Sequence, residues 1–316
     1  MVGIRVGVGK VAINSVPMCT SQDIVSVVSI DEAEWCKEYI SMVLQYKAPV
    51  LAAQAQGATI TGISSKTLKS ITIPVTPLET QRRIVEELRA IEAQKVAANS
   101  ILKSFSALVK SRFVEMFGDV SNGNAIPLKE CCSIIQGGKT PSMKHSEYYG
   151  GTVPFIKSGD VRGDGVSSGA LWLSDVAIER AGVKLVKRGS VLVVTRSALL
   201  QRKVCSALCT ADVAINQDIK AFTPRDGFSG DYLLWTIRSH EKRLLAGVRS
   251  VSTSALDFDD LCCLPVRIAS IAEQREFAAF AAEVDKSRVV VQRQVVKYND
   301  VIASSGIAII GRGELV

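Results

Sequence analysis

The chain has 316 residues, of which 47% are hydrophobic and 22% charged, and this composition excludes an intrinsically disordered protein. At about 100–200 residues per domain, the length predicts about two domains. The apolar runs are much shorter than the roughly 18 residues that cross a bilayer, and residues 1–10 have no signal-peptide pattern. We therefore expect a cytoplasmic protein that does not interact with membranes.

In chain order, the sequence predicts a mixed α+β (α/β) fold in which globular domains are separated by two long helices. The predicted segments are a first globular piece (1–77), a long helix (78–118), a complete globular domain (125–268), a second long helix (269–305) and a tail (306–316). Within the complete domain, strands are predicted at 152–156 and 190–195 and a helix at 232–246, from their composition and bounding turn residues.

The two long helices belong to an internal repeat. Gln81 aligns with Gln274 at an offset of 193 residues, and the apolar positions of both helices share that offset. The motif Gln-Asp-Ile before the first helix, at 22–24, also recurs at 217–219. Met1 then corresponds to about Arg196, so we expect the first unit to lack the counterpart of residues 125–195.

Apolar residues recur in each helix at alternating spacings of four and three, which is the heptad pattern of a coiled coil. The seam positions are Ile84, Leu88, Ile91, Leu102, Phe105 and Val109 in the first helix and Phe277, Val284, Val291, Val295, Tyr298 and Ile302 in the second. Lys95 and Arg288 interrupt the two seams at equivalent positions. We expect an antiparallel coiled coil in which Ile84 faces Ile302.

The positive charge is concentrated in one part of the chain. The net charge is +7, and twelve basic but only six acidic residues lie between Lys129 and Lys203. This half of the complete domain is also rich in glycine, serine and aromatic residues. Such loops can bind phosphates through Lys, Arg and backbone N–H groups, although a solvated basic face remains an alternative.

Catalytic and metal-binding motifs are incomplete. Gly138-Lys139-Thr140 resembles the end of a phosphate-binding loop, but Ser133 stands where that motif needs a glycine. The pair Asp218 and Lys220 could serve a nuclease, yet the repeat has no lysine at the equivalent position, Val25. Eight cysteines and two histidines form no convincing zinc motif. We therefore expect a non-catalytic protein without a metal, with its thiols buried or inert in a reducing compartment.

Several stretches follow one another in a distinctive order. They are PLETQRRI (77–84), FVEMFGD (113–119), IIQGGKTPS (134–142), EYYGG (147–151), VPFIKSGDV (153–161) and INQ (215–217). Together with the repeat, they resemble the DNA-specificity (S) subunit of type I restriction–modification systems. The resemblance covers most of the chain.

The resemblance implies a non-catalytic subunit that binds double-stranded DNA and directs methyltransferase (M) and restriction/motor (R) subunits to a site. In this family, two target recognition domains each recognise half of a bipartite site, and the long helices set the spacing and bind M subunits. Residues 1–77 would be the C-terminal part of a truncated first recognition domain. No cofactor is expected in this chain, and S-adenosylmethionine, Mg and ATP are expected only in partner subunits.

The candidate DNA contacts lie in the complete domain, because Lys and Arg bind phosphates while Asn, Gln and hydroxyl groups can contact bases. They are Lys139, Thr140, Ser142, Lys144, Lys157, Ser158, Arg196, Arg202, Lys203, Asn216 and Gln217.

An alternative function stays open. The chain could be a silent or half-length specificity cassette that acts mainly as an interaction module, binding M subunits or pairing with a second copy of itself.

Overall fold

The computed structural model describes residues 1–5, 7–55, 62–118, 124–250 and 254–311, with the backbone alone at 249–250 and 305–311. Contacts divide the chain into two compact units, and each is described by itself. Unit 1 consists of Met1–Lys103 with Arg288–Val316, and unit 2 consists of Ser104–Ser287. Both units combine helices with strands, which confirms the predicted α+β class.

Unit 1 starts with short elements and continues into the first long helix. The elements are β1 (Val2–Gly3), β2 (Ile24–Val25), α1 (Lys37–Tyr46), α2 (Ala48–Ala53), α3 (Ser65–Lys69) and α4 (Leu78–Phe117), of which the last part belongs to unit 2. β1 and β2 pair antiparallel. Apolar residues on opposite faces of α1 enter two clusters, because Ile40 packs with Val2 whereas Tyr39 packs with Leu88 of α4.

Unit 2 contains most of the strands. Its elements are β3 (Ala125–Pro127), β4 (Cys132–Gly137), β5 (Tyr149–Ile156), β6 (Gly165–Val166), β7 (Leu171–Leu173), α5 (Asp175–Arg180), β8 (Leu185–Val186), β9 (Val191–Val194), β10 (Ser206–Cys209), β11 (Val213–Ile215), β12 (Ile219–Pro224), α6 (Gly230–Ser239), α7 (Glu241–Ala246), β13 (Arg249–Ser250), β14 (Ser254–Ala255), α8 (Phe258–Cys262), β15 (Pro265–Arg267) and α9 (Ile271–Gly311). The last part of α9 belongs to unit 1.

Two sheets form the body of unit 2. One has the strand order β4-β12-β9-β10-β6 and the other β7-β5-β11-β8. The four residues of β9 are all buried, as expected for an apolar run inside a sheet that is covered on both faces. The predicted strand at 152–156 lies within β5, and β9 occupies most of the predicted strand at 190–195.

The helix predicted at 232–246 is divided into α6 and α7 at His240. The hydroxyl of Ser239 donates to the Thr236 carbonyl at 2.7 Å, and Nδ1 of His240 lies 3.0 Å from the same oxygen. These side chains occupy a carbonyl group of the last helical turn, so the backbone leaves the helix there. The apolar pattern continues through the break, which is why the sequence predicts one helix.

Aromatic residues join the end of α4 to the start of α9 in unit 2. The ring of Phe113 has its centroid 5.1 Å from those of both Phe117 and Phe277, and Phe117 lies 4.8 Å from Tyr232 of α6. All four rings are almost completely buried. Edge-to-face aromatic pairs stabilise by about 0.5–1.5 kcal/mol beyond their burial, so this cluster anchors both long helices to the domain.

Burial along α4 and α9 follows the heptad positions. Leu88 and Val109 are buried in α4, as is Ala98 seven positions after Ile91. Phe277 and Val284 are buried in α9, and the other seam residues are half-buried, including both interrupting cations. Each unit contains the start of one long helix and the end of the other, as antiparallel helices require.

Helix α9 continues to Gly311, beyond residue 305 where the sequence predicts its end, and no proline interrupts it there. Residues 312–316 of the predicted tail lie outside the described residues. None of the helices that the structure describes combines the length and apolar character needed to cross a membrane.

Each long helix is attached to its globular piece by a buried glutamine. In unit 1, Gln81 Oε1 accepts from the Cys36 amide at 2.8 Å, and Nε2 donates to the carbonyls of Glu34 (2.9 Å) and Thr76 (2.8 Å). In unit 2, Gln274 makes the same three bonds, each to a residue 193 positions further along the chain. We call these two side chains the glutamine latches. They show that the repeat extends to individual hydrogen bonds.

Candidate nucleic-acid interface

Four strands of unit 2 end at the same place. β4 and β9 flank β12 and run antiparallel to it, so both end beside the start of β12. β5 is parallel to β11, so these two strands also end together. The turn Asn216-Gln217-Asp218 joins the end of β11 to the start of β12, and it brings the four strand ends to one surface. The strand-end surface consists of Gly138, Lys139, Thr140, Lys157, Ser158, Arg196, Asn216, Gln217 and Asp218.

Gly138 allows the chain after β4 to pass close to this turn. A Cβ atom at Gly138 would collide with the carbonyl oxygens of Ile215 and Asn216. The next residue, Lys139, donates its backbone amide to the Ile215 carbonyl at 3.0 Å. The glycine is therefore required by close backbone approach, and it places Lys139 and Thr140 next to the turn.

Thr140 and Gln217 form a side-chain contact between two segments of the strand-end surface. The Thr140 hydroxyl donates to Oε1 of Gln217 at 2.6 Å, across 77 positions of sequence. Both residues are exposed. The amide of Gln217 is therefore oriented by a neighbour while it faces solvent.

Asn216 has a different environment. It is only 8% exposed, its backbone amide donates to the Ile156 carbonyl at 3.1 Å, and its Nδ2 donates to Asp218 Oδ2 at 3.1 Å. Its Oδ1 is buried and has no hydrogen-bond partner among the described residues. Asn216 thus fixes the turn to the end of β5, and its burial removes it from the exposed contact surface.

The end of β5 presents a lysine. The backbone amide of Lys157 donates to Asp160 Oδ2 at 2.9 Å, while the residue itself is exposed. Ser158 is half-buried, and its hydroxyl also has no partner within the described part of the chain. The hydrogen bond from the Lys157 amide holds the Asp160 carboxylate against the backbone of this turn.

The end of β9 presents Arg196, which is exposed. The preceding residue, Thr195, donates its backbone amide and its hydroxyl to the Asp218 carbonyl at 2.8 and 3.2 Å. Asp218 was not predicted as a site residue, although the repeated Gln-Asp pair could have indicated it. Its carbonyl joins the end of β9 to the turn, so it supports the positions of Arg196 and Gln217.

The other four candidates lie on two flanking loops. Ser142 and Lys144 are exposed and follow Thr140, with the Lys144 amide donating to the Ser142 hydroxyl at 3.3 Å. Arg202 and Lys203 are exposed after a short 3₁₀ turn at Ala198–Gln201. These four residues follow the strand-end surface closely in the chain, and none of the described hydrogen bonds or ion pairs joins their side chains to it.

The candidate cations keep their charges unpaired. Within the described part of the chain, none of the six candidate lysines and arginines forms an ion pair. By contrast, the Lys187 ammonium lies 2.8 Å from Asp212 and, with the Arg188 amide, holds the pKa of that carboxyl below its ordinary value. The unpaired cations are available for an anionic ligand.

The surface has no assembled catalytic or metal centre in the described residues. Lys220 lies with its ammonium 5.4 Å above the Phe258 ring, while the Asp218 carboxylate accepts from Asn216. No group of three or more His, Cys, Asp or Glu residues that could hold a metal is found in the described ranges. Burial also raises the pKa of Cys131, Cys132 and Cys209 to about 12, so these thiols stay protonated.

The turn of the strand-end surface recurs in unit 1 as Ser21-Gln22-Asp23. The Ile24 amide donates to the Ser21 carbonyl at 3.1 Å, and the Ile4 amide donates to the Asp23 carbonyl at 2.9 Å. The equivalent bonds in unit 2 are 3.2 and 2.8 Å long.

These bonds correct the predicted alignment of the two units. Ile4 is the counterpart of Thr195, so Met1 corresponds to Leu192 and not to about Arg196. The error arose because the segment between the strand and the turn is longer in unit 2 (195–215) than in unit 1 (4–20), so the offset changes between the strand and the turn.

The sequence matches a known family over most of its length. Residues 1–103 and 123–294 match the model of the type I restriction modification DNA specificity domain. The chain belongs to this family. The resemblance found in the sequence is therefore confirmed, and the family is one of DNA specificity and not of catalysis.

Curated relatives cover parts of the chain. This chain is 26% identical to the type I restriction enzyme EcoR124I/EcoR124II specificity subunit of Escherichia coli over 152 residues. The aligned region covers 47% of this chain and 38% of that protein. This chain is also 25% identical over 108 residues to the MjaIX specificity subunit of Methanocaldococcus jannaschii, covering 33% and 24% respectively. The chain thus spans well under half the length of these curated relatives.

Solved structures share the fold. The S subunit of a type I restriction–modification system from M. genitalium has a TM-score of 0.56 at 13% identity, covering 98% of this chain and 81% of that one. A chain from a study of complex assembly and conformational transition of the type I R-M system has a TM-score of 0.59 at 19% identity, covering 90% and 72%. Both support the architecture of globular domains joined to long helices.

Proposed function

We propose that the chain is a sequence-specific DNA-binding subunit of a type I restriction–modification complex, and that unit 2 contacts DNA with its strand-end surface. The observation that supports this most is the convergence of Lys139, Lys157 and Arg196 beside the exposed amide of Gln217. Three unpaired cations can bind backbone phosphates, while an amide between them can contact a base edge.

The flanking loops extend the same surface chemistry. Lys144, Arg202 and Lys203 add exposed positive charge on either side of the strand ends. Each phosphate contact displaces condensed counterions, so the logarithm of the binding constant falls with the logarithm of salt concentration by about 0.9 per contact on duplex DNA. The proposal therefore predicts strongly salt-dependent binding.

We further propose that the chain directs M and R subunits to its DNA site, with S-adenosylmethionine, Mg and ATP bound by those partners. The long helices support a role in assembly, because they expose apolar residues outside the seam. Val96 and Leu108 are 69% and 49% exposed, and their repeat counterparts Val289 and Val301 are 44% and 43% exposed. Large contiguous apolar patches are typical of protein-binding surfaces, and we propose that these recurring positions belong to one.

Binding of duplex DNA by the full chain, with its M subunit if needed for solubility, tests the DNA-binding proposal. Lys157→Ala and Lys139→Ala should each weaken binding and reduce the salt slope by about 1, because each removes one phosphate contact. Lys297→Ala, an exposed lysine on α9, is the matched control and should leave the slope unchanged. Unchanged slopes for both strand-end variants would exclude this surface as the DNA contact.

The same chain and its M subunit can also test the alternative function, that of an interaction module. A chain that assembles with M subunits but binds all duplexes with equal affinity would be an interaction module and not a specificity subunit. Mapping of methylated sites after co-expression with the M subunit then gives an independent answer. A defined methylated motif supports the specificity function, and its absence supports the silent cassette.

A further inference from the structure

The amide of Gln217 is held in one orientation at the centre of the strand-end surface. The Thr140 hydroxyl donates to Oε1 at 2.6 Å, so the oxygen end of the carboxamide accepts this bond. A carboxamide oxygen has two lone pairs, so one remains free together with both hydrogens of Nε2. Gln217 therefore presents one acceptor and donors to whatever lies against the surface.

The backbone that carries Gln217 is fixed on both sides. Asn216 donates to the end of β5, and the Asp218 carbonyl accepts two hydrogen bonds from Thr195 at the end of β9. β11 before the turn is buried, as is Ile219 at the start of β12. A contact residue on such a frame keeps its geometry within narrow limits, which is a requirement for discrimination between bases.

Neighbouring amides are engaged elsewhere. Asn216 is 8% exposed and donates to Asp218, and Gln136 donates its Nε2 to the Leu185 carbonyl at 2.9 Å. Gln217 is the amide of the strand-end surface that is both exposed and oriented by a second side chain.

We propose that Gln217 determines specificity by pairing with an adenine in the major groove, and that Thr140 is its positioning residue. This inference rests on the proposed DNA-binding function. Adenine presents the N6 donor and the N7 acceptor side by side, which match the free lone pair of Oε1 and a hydrogen of Nε2. Guanine presents two acceptors there, and cytosine and thymine present one polar group each, so none satisfies both ends of the amide.

The experiment is selection of bound sequences by the full chain from a pool of randomised duplexes, followed by sequencing. The wild-type chain should enrich a motif with an adenine that Gln217→Ala no longer selects. The loss of preference at that one position should be about 5- to 100-fold, with other positions of the motif unchanged. Gln94→Ala, an exposed glutamine on α4, is the control and should retain the motif.

Two further variants separate base recognition from a structural role. Gln217→Glu has only acceptors, so the preference at this position should change from adenine to cytosine, which offers the N4 donor. Thr140→Val removes the hydroxyl and should weaken the adenine preference, while Thr140→Ser should restore it. A folding defect would lower binding to every sequence and would not exchange one base for another.

The outcomes are distinct. If the wild-type chain selects no sequence, the proposed DNA-binding function fails and the inference fails with it. If a motif is selected but Gln217→Ala and Gln217→Glu both retain it, the DNA-binding function stands and Gln217 is not the specificity residue. If Gln217→Ala loses the adenine but Thr140→Val behaves as wild type, the positioning role of Thr140 is overturned.

Discussion

Asn216 and Gln217 are adjacent amides with opposite roles in the structure. Asn216 is buried and supports the turn, whereas Gln217 is exposed and oriented by Thr140. Side chains of consecutive residues point to different sides of an extended or turning backbone, so only one of the two can face a ligand. The candidate list from the sequence contains both, because composition alone does not distinguish a supporting amide from a contacting one.

Replacing Asn216 should destabilise the domain. Asn216→Ala removes the bond to Asp218 and leaves that half-buried carboxylate without this donor. We expect the free energy of unfolding to fall by about 1–3 kcal/mol, measured by urea denaturation. Gln217→Ala is the matched control and should change the stability by less than about 0.5 kcal/mol, because its side chain is exposed. Equal effects of both substitutions would contradict the assigned roles.

The cysteines should differ sharply in reactivity. Burial raises the pKa of Cys131, Cys132 and Cys209 to about 12, so almost no thiolate forms below pH 9, whereas Cys19 and Cys263 are exposed. Because the thiolate is the nucleophile, iodoacetamide at pH 8 should modify the two exposed residues first. Peptide mass spectrometry of the folded chain measures this. Early modification of Cys209 would show that the core of unit 2 opens readily.

At the scale of elements, the glutamine latches join each long helix to the globular piece before it. Both side chains are almost completely buried, at 1% and 0% exposed, and each makes three hydrogen bonds to backbone groups. A buried amide is stable only when its polar atoms are satisfied, so the three partners explain how a glutamine is accommodated in the core.

Loss of a latch should therefore be costly. Gln274→Ala removes three bonds and leaves two carbonyls and an amide without their partner, so we expect a loss of about 2–4 kcal/mol in the free energy of unfolding. Urea denaturation followed by circular dichroism measures it. Gln294→Ala, an exposed glutamine on the same helix, should have little effect. A Gln274→Ala variant as stable as the Gln294→Ala variant would show that the latch does not hold the helix.

At the scale of the whole molecule, the exposed apolar residues of the long helices should matter for assembly. Val96→Asp and Val289→Asp place a charge on apolar positions that recur in the repeat, and each should weaken binding of the M subunit by at least tenfold if those positions contact it. Isothermal titration calorimetry with the purified M subunit measures the change. Val75→Asp is the control, because Val75 is 86% exposed and lies outside both helices.

DNA binding by unit 2 should be unaffected in these variants. A loss of DNA binding together with M-subunit binding would indicate a general folding defect and not a specific interface.

The sequence predicts the helices and the repeat because their signals are local or strictly periodic. The heptad spacing and the offset of 193 residues require no knowledge of which strands pair. The strand-end surface depends on pairing between distant segments, such as β5 with β11 and β4 with β12, so its members could be proposed individually but not as one surface. Asp218 was missed for the same reason, since its carbonyl contributes through the backbone.

The glutamine latches bind backbone groups only, an amide and two carbonyls in each unit. Every non-proline residue has both groups, so the side chains at the bonded positions (34, 36 and 76 in unit 1, and 227, 229 and 269 in unit 2) can vary without loss of these hydrogen bonds. A globular piece with other loop residues could therefore be joined to the start of either long helix with the same three hydrogen bonds. If the proposed function holds, such an exchange would replace the DNA contacts and leave the joint unchanged.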